Sequence, residues 1–88
     1  MIYGKDGLKD LTRSLQAEGV DAQVSLFRGQ EGLLVNHEGL TPDERAGFFP
    51  LWELNLNLEL LAQRDFKAIV DRRGPNWSPV QHENRQYP

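Results

Sequence analysis

Eighty-eight residues with thirteen acidic and ten basic side chains carry a formal charge of −3, too mild a balance to mark a nucleic-acid binder or an acidic mimic of DNA. A chain of this length makes one domain and buries only roughly 60–65% of the surface that its unfolded form exposes. No cysteine is present, which excludes disulfides and thiolate metal sites and leaves association with a second chain as the remaining way to enlarge a thin core.

The lack of cysteine suits a reducing compartment. The opening residues Met1-Ile2-Tyr3-Gly4-Lys5-Asp6 have no signal-peptide apolar run, and no segment approaches the length of a bilayer span. The expectation is a cytoplasmic protein with no membrane partner. Charge is unevenly spread: residues 1–63 hold ten acids and five bases, whereas residues 64–88 hold three acids and five bases, so the carboxyl end is the basic one.

Leu8, Leu11, Leu15 and Ala17 recur at helical spacing, with Asp6 placed to cap the start and Gly19 to end it, which predicts a helix from Asp6 to Gly19. Ala22, Val24 and Leu26 then alternate with Gln23, Ser25 and Phe27. Leu33-Leu34-Val35 follows after Arg28-Gly29-Gln30-Glu31-Gly32, and the pair of apolar runs predicts a β-hairpin whose connection uses Gly29 and Gly32. A lone hairpin is marginal, so it must lie against helices. Thr41-Pro42-Asp43-Glu44 has the cap, proline and acid of a helix start, while Gly47 and Pro50 should kink or interrupt that helix within two turns.

The stretch Trp52 to Leu60 supports two assignments. Its perfect alternation is that of a half-buried strand, but Leu and Glu favour helix, Asn is depleted in strands, and no β-branched residue occurs between Leu51 and Gln63. Helix is preferred, with a third strand over residues 51–60 as the alternative. On a helical projection Leu51, Leu54, Leu58, Leu61, Ala62 and Ile69 form one apolar stripe, and Phe49, Trp52, Leu56 and Leu60 form another. A helix apolar on opposed sides must be sandwiched, either by a second copy or by the first helix and the tail of the same chain. Gly74-Pro75 stops the helical region.

Candidate chemistry is sparse. His37 and His82 lack the spacing of a helical metal pair, and His37-Glu38 reads more readily as solvated loop than as a base with its orienting acid. Ser14, Ser25 and Ser78 lack a nucleophile-elbow setting, and no glycine-rich phosphate cradle is present. No catalytic residue, metal ligand or cofactor is assigned. The most suggestive cluster is Arg72, Arg73 and Trp77: two guanidiniums and a ring can grip an anion or stack a base, or the arginines can complement a helix end while Trp77 folds back over the core.

The expected fold is α+β: an amino-terminal helix, a two-stranded hairpin, a long kinked or broken helical region, and an extended tail, with residues 1–75 as the domain and 76–88 as the tail. The order helix, hairpin, helix resembles the layout of small phage and bacterial assembly proteins, a likeness that carries no motif and no function with it. The expected function is a non-enzymatic interaction or assembly protein, forming a homodimer or binding another protein through Phe48, Phe49, Trp52, Leu56 and Leu60. One alternative is nucleic-acid binding through Arg64, Lys67, Arg72, Arg73, Arg85 and Trp77. Another is a small inhibitor docking on a larger host enzyme.

Overall fold

The computed structural model describes residues 2–37, 40 and 47–80. The expected helix start at Thr41–Glu44, and Glu38, His82, Arg85 and Tyr87, lie outside the described residues. The first helix, α1, spans Lys5–Ala17 and buries Leu8, Leu11, Thr12 and Leu15. It starts one residue before Asp6, so Asp6 sits in the first turn, where its charge faces the positive end of the helix rather than capping it. Ala17 stays outside the stripe and is exposed. The end is as the sequence implies: Gly19 adopts φ +89°, the Val20 amide donates to Leu15 O at 2.9 Å and the Gly19 amide to Gln16 O at 3.0 Å. This is a Schellman closure, which satisfies carbonyls that the helix itself leaves open.

Strands β1 (Asp21–Phe27) and β2 (Gln30–Asn36) pair antiparallel, with Phe27 opposite Gln30 and Asp21 opposite Asn36. The connection is shorter than the sequence suggests. Arg28 (φ 52°) and Gly29 (φ 79°) make a two-residue turn with both central residues left-handed, the geometry that matches strand twist. Gly32 is therefore not a turn residue; it lies inside β2, where a Cβ would overlap the Phe49 carbonyl oxygen and the Pro50 Cα. The space goes to a third strand, β3 (Phe48–Pro50), which pairs with β2 through Leu33↔Phe49 and Leu34↔Phe48. Gly47 lies just before this strand and Pro50 ends it, so the interruption that the sequence implies there is a short strand, after which helix resumes at Leu51. Proline is tolerated there because β3 is an outer strand of the order β1-β2-β3.

Helices α2 (Leu51–Leu56), α3 (Leu58–Ala62) and α4 (Phe66–Asp71) complete the chain. Residues 51–60 are helical apart from a break at Asn57, so the third-strand alternative for that stretch is corrected: the third strand lies just before it. Propensity outweighed alternation. Asn57 breaks the run with φ −121° and ψ 44°, and its Nδ2 donates to the Glu53 carbonyl at 3.0 Å. Arg64 (φ 60°) closes α3 as Gly19 closes α1, with the Asp65 amide bonded to Leu60 O, and Asp65 then caps α4 by accepting from the Ala68 amide at 3.1 Å. Arg64 also forks onto Glu18 at 2.9 and 2.8 Å, tying the two helix ends together.

The core joins Leu8, Leu11 and Leu15 of α1 to Ala22, Leu33, Val35 and Phe49 of the sheet and to Leu54, Leu61, Phe66 and Ile69 of the later helices. Phe49 and Phe66 pack ring to ring at 5.5 Å. Phe48 points to the other side of the sheet and meets Phe27 edge-on at 5.5 Å. Asn55 pins the amino terminus: its Oδ1 accepts from the Ile2 and Tyr3 amides, and its Nδ2 donates to Tyr3 O.

Candidate functional site

The chain turns back after α4. The Trp77 amide donates to Gly74 O at 3.2 Å, Pro79 is buried, and the Trp52 indole N–H donates to Pro79 O at 2.6 Å. Residues 76–80 therefore lie against α2 rather than extending away from it. The fold-back encloses Arg73. Its Nε and Nη2 fork onto the Glu53 carboxylate at 3.0 and 2.7 Å, and Nη2 also donates to Phe48 O. The guanidinium lies 3.8 Å from the Trp77 ring centre and 4.9 Å from that of Phe49. Stacking on aromatic faces and a bidentate acid are the two partnerships that planar, weakly hydrated guanidinium makes best.

Glu53 is only 3% exposed. Burial raises its carboxyl above the usual range, against the opposing pull of the Arg73 hydrogen bonds and charge. The buried Trp77 indole N–H favours the ionised carboxylate as well but completes no hydrogen bond. Beside this pair opens a cleft of about 390 Å³ whose walls include Trp52, Leu56, Asn57, Ile69, Arg72 and Trp77. Arg72 stands exposed at its rim, with Nη1 3.3 Å from Asn57 Oδ1. The adjacent arginines thus differ: Arg73 is a structural hub, and Arg72 faces solvent.

The five apolar residues expected to form one contact surface are dispersed. Phe48 and Phe49 are fully buried, Trp52 and Leu60 are half-buried, and Leu56 alone is open, 64% exposed at the cleft rim. The two phenylalanines are buried because they belong to β3, where Phe49 joins the core and Phe48 packs on Phe27 across the opposite face, not to the helix on which the sequence projection placed Phe49. Of the basic residues, Arg64 is paired with Glu18, Lys67 with Asp71 and Arg73 with Glu53. Among the described residues no group of His, Asp or Glu is arranged to hold a metal ion. His37 is exposed, its ring 6.2 Å from Phe66. Among the described residues no helix is long and apolar enough to cross a membrane.

A pair of exposed apolar side chains lies elsewhere, on β1. In the order β1-β2-β3 this strand has one neighbour, so among the described residues no strand pairs with its outer edge. Val24 is 42% and Leu26 69% exposed, although they share a face with buried Ala22. In the core α1 packs with Ala22, Leu33 and Val35 on that face, and at its start Lys5 reaches Glu31, the partner of Leu26, at 3.1 Å, yet Val24 and Leu26 stay open. The sequence shows this alternation clearly, but alternation reads as burial unless the strand is known to be an edge. The signal on hand was the order of the runs: a first strand followed by its own hairpin partner has no later strand bound to cover it. No protein-family model, curated protein or solved structure matches the chain significantly.

Proposed function

We propose that this protein is a non-enzymatic interaction protein that associates with itself, and that the open edge of β1 is its contact. One observation carries the reading: a seven-residue outer strand that presents Val24 and Leu26 to solvent. Natural sheets blunt such edges with lysine, proline, bulges or a covering helix. Strand β1, Asp-Ala-Gln-Val-Ser-Leu-Phe, contains neither lysine nor proline, and it stays continuous from end to end. A chain this small gains proportionately from area buried against a copy. Arg64, Lys67 and Arg73 each have an acid partner, which among the described residues leaves Arg72 as the cation of the basic end without one and favours protein over nucleic acid as the partner.

Sedimentation equilibrium over a wide concentration series tests the reading. The weight-average mass is expected to rise from the 10.1 kDa of one chain toward twice that value. A mass that stays at one chain throughout the micromolar range refutes it.

A further inference from the structure

We infer that two copies join β1 to β1 in antiparallel fashion about a two-fold axis at Val24, fusing two three-stranded sheets into one of six strands. This rests on the self-association reading and specifies its geometry. Backbone direction comes first. The two-residue turn makes Phe27 and Gln30 a hydrogen-bonded pair, so by the alternation of an antiparallel ladder Phe27, Ser25, Gln23 and Asp21 bond inward to β2. Ala22, Val24 and Leu26 consequently aim their N–H and C=O groups off the edge. The Ala22 carbonyl shows this directly, since it accepts from the Gln16 side chain of α1 at 2.8 Å, and a carbonyl has a second lone pair to share. Only outward-bonded residues can pair across a new edge, and two of these three, Val24 and Leu26, are the residues of β1 with exposed apolar side chains.

The register is set by which pairing uses all three. With Val24 opposite Val24 of the copy, Ala22 faces Leu26 at both ends and no outward group is stranded. Sliding either way leaves Leu26 or Ala22 unmatched. A two-fold normal to the sheet keeps each face continuous, so the Val24 and Leu26 side chains of both copies fall on the α1 side, between the two helices, where their apolar surface leaves water.

Charge selects the same arrangement. Asp21 stands at one end of β1, and Arg28 follows the other, its guanidinium held over the Phe27 ring at 5.7 Å. In this register Asp21 sits directly opposite Phe27 of the copy, on the same face, so its carboxylate meets the Arg28 that covers that ring. Symmetry makes the contact twice. Parallel pairing would instead set acid beside acid and base beside base, which is destabilising for directly opposed charges.

The test uses the whole chain, and the natural absence of cysteine makes single-cysteine variants unambiguous. Opposed residues of a hydrogen-bonded pair have Cα atoms about 5.5 Å apart, within disulfide reach. Val24→Cys should therefore form a covalent dimer under mild oxidation, and Leu56→Cys on the far cleft should not. Val24→Lys should stay monomeric with an unchanged circular-dichroism spectrum, because the position is exposed in the single chain. Asp21→Arg should weaken association about tenfold or more by opposing it to Arg28, and Asp21→Arg/Arg28→Asp should restore it. If the parent chain dimerises but Val24→Lys dimerises equally, or Leu56→Cys is the variant that cross-links, this geometry is wrong while self-association stands. If the parent chain is monomeric, both fall.

Discussion

Removing the Arg73 guanidinium tests how the helical half is held on the sheet. Arg73→Met keeps most of the aliphatic stem between Trp77 and Phe49 but deletes the fork onto Glu53 and the bond to Phe48 O. Breaking a buried pair by removing one partner strands the other, at about 3–5 kcal/mol. A domain of this kind has only about 5–15 kcal/mol of stability in total, so the variant should be folded but fragile at neutral pH. The pH dependence identifies the cause. Glu53 is already raised by burial, and without Arg73 nothing of comparable strength holds it down. A carboxyl raised in the folded state keeps a proton that the unfolded chain releases, so its contribution is present below the ordinary carboxylate range and lost as pH rises through the folded value. In acid, where Glu53 is neutral, the deficit should shrink to the lost stacking and the Phe48 bond, about 1–2 kcal/mol. Urea titrations followed by tryptophan fluorescence at acidic and neutral pH measure both values. A deficit equal at the two pH values, or larger in acid, refutes the assignment of Glu53 as the stranded charge. Arg73→Met/Glu53→Leu should recover much of the neutral-pH loss, because neither charge is then buried alone.

Gly32→Ala should cost about 1–3 kcal/mol by forcing β3 away from β2, read as a lower melting temperature and faster amide exchange in the β2–β3 pairing. Asn55→Ala removes the side chain that holds the Ile2 and Tyr3 amides and the Tyr3 carbonyl, so those amides should exchange at nearly unprotected rates, with a stability loss of about 2 kcal/mol in chemical denaturation. Trp52→Phe deletes the bond to Pro79 O and should cost about 0.5–1.5 kcal/mol in chemical denaturation, with increased protease access to the segment around residue 79.

The α1 stripe and its glycine stop were legible because a 3.6-residue period and a left-handed residue are both local matters. The hairpin was legible too, but not its turn. Arg28 takes a conformation more usual for glycine or asparagine, which freed Gly32 for close approach of β3, and no spacing rule announces that exchange. Strand β3 was missed because three residues ending in proline carry no periodicity. Residues 51–60 were read correctly as helix from residue type, yet the two-stripe projection assumed unbroken phase, and the break at Asn57 rotates α3 relative to α2. That is why Leu60 is half-covered while Leu56 stays open. The Arg73–Glu53 pair joins positions twenty residues apart whose meeting depends on the fold-back of residues 76–80, and only tertiary packing reveals it. The exposed edge was visible as an alternation, but its orientation required knowing that the sheet ends there.

Amide exchange at Val24 and Leu26, followed by NMR as protein concentration is raised, bears most directly on the claim that the open strand is the contact. Both amides leave the edge of the single chain, so they should exchange rapidly in dilute solution and become protected in step with the rise in mass. Rapid exchange at these two positions in a solution shown by sedimentation to be dimeric would contradict it.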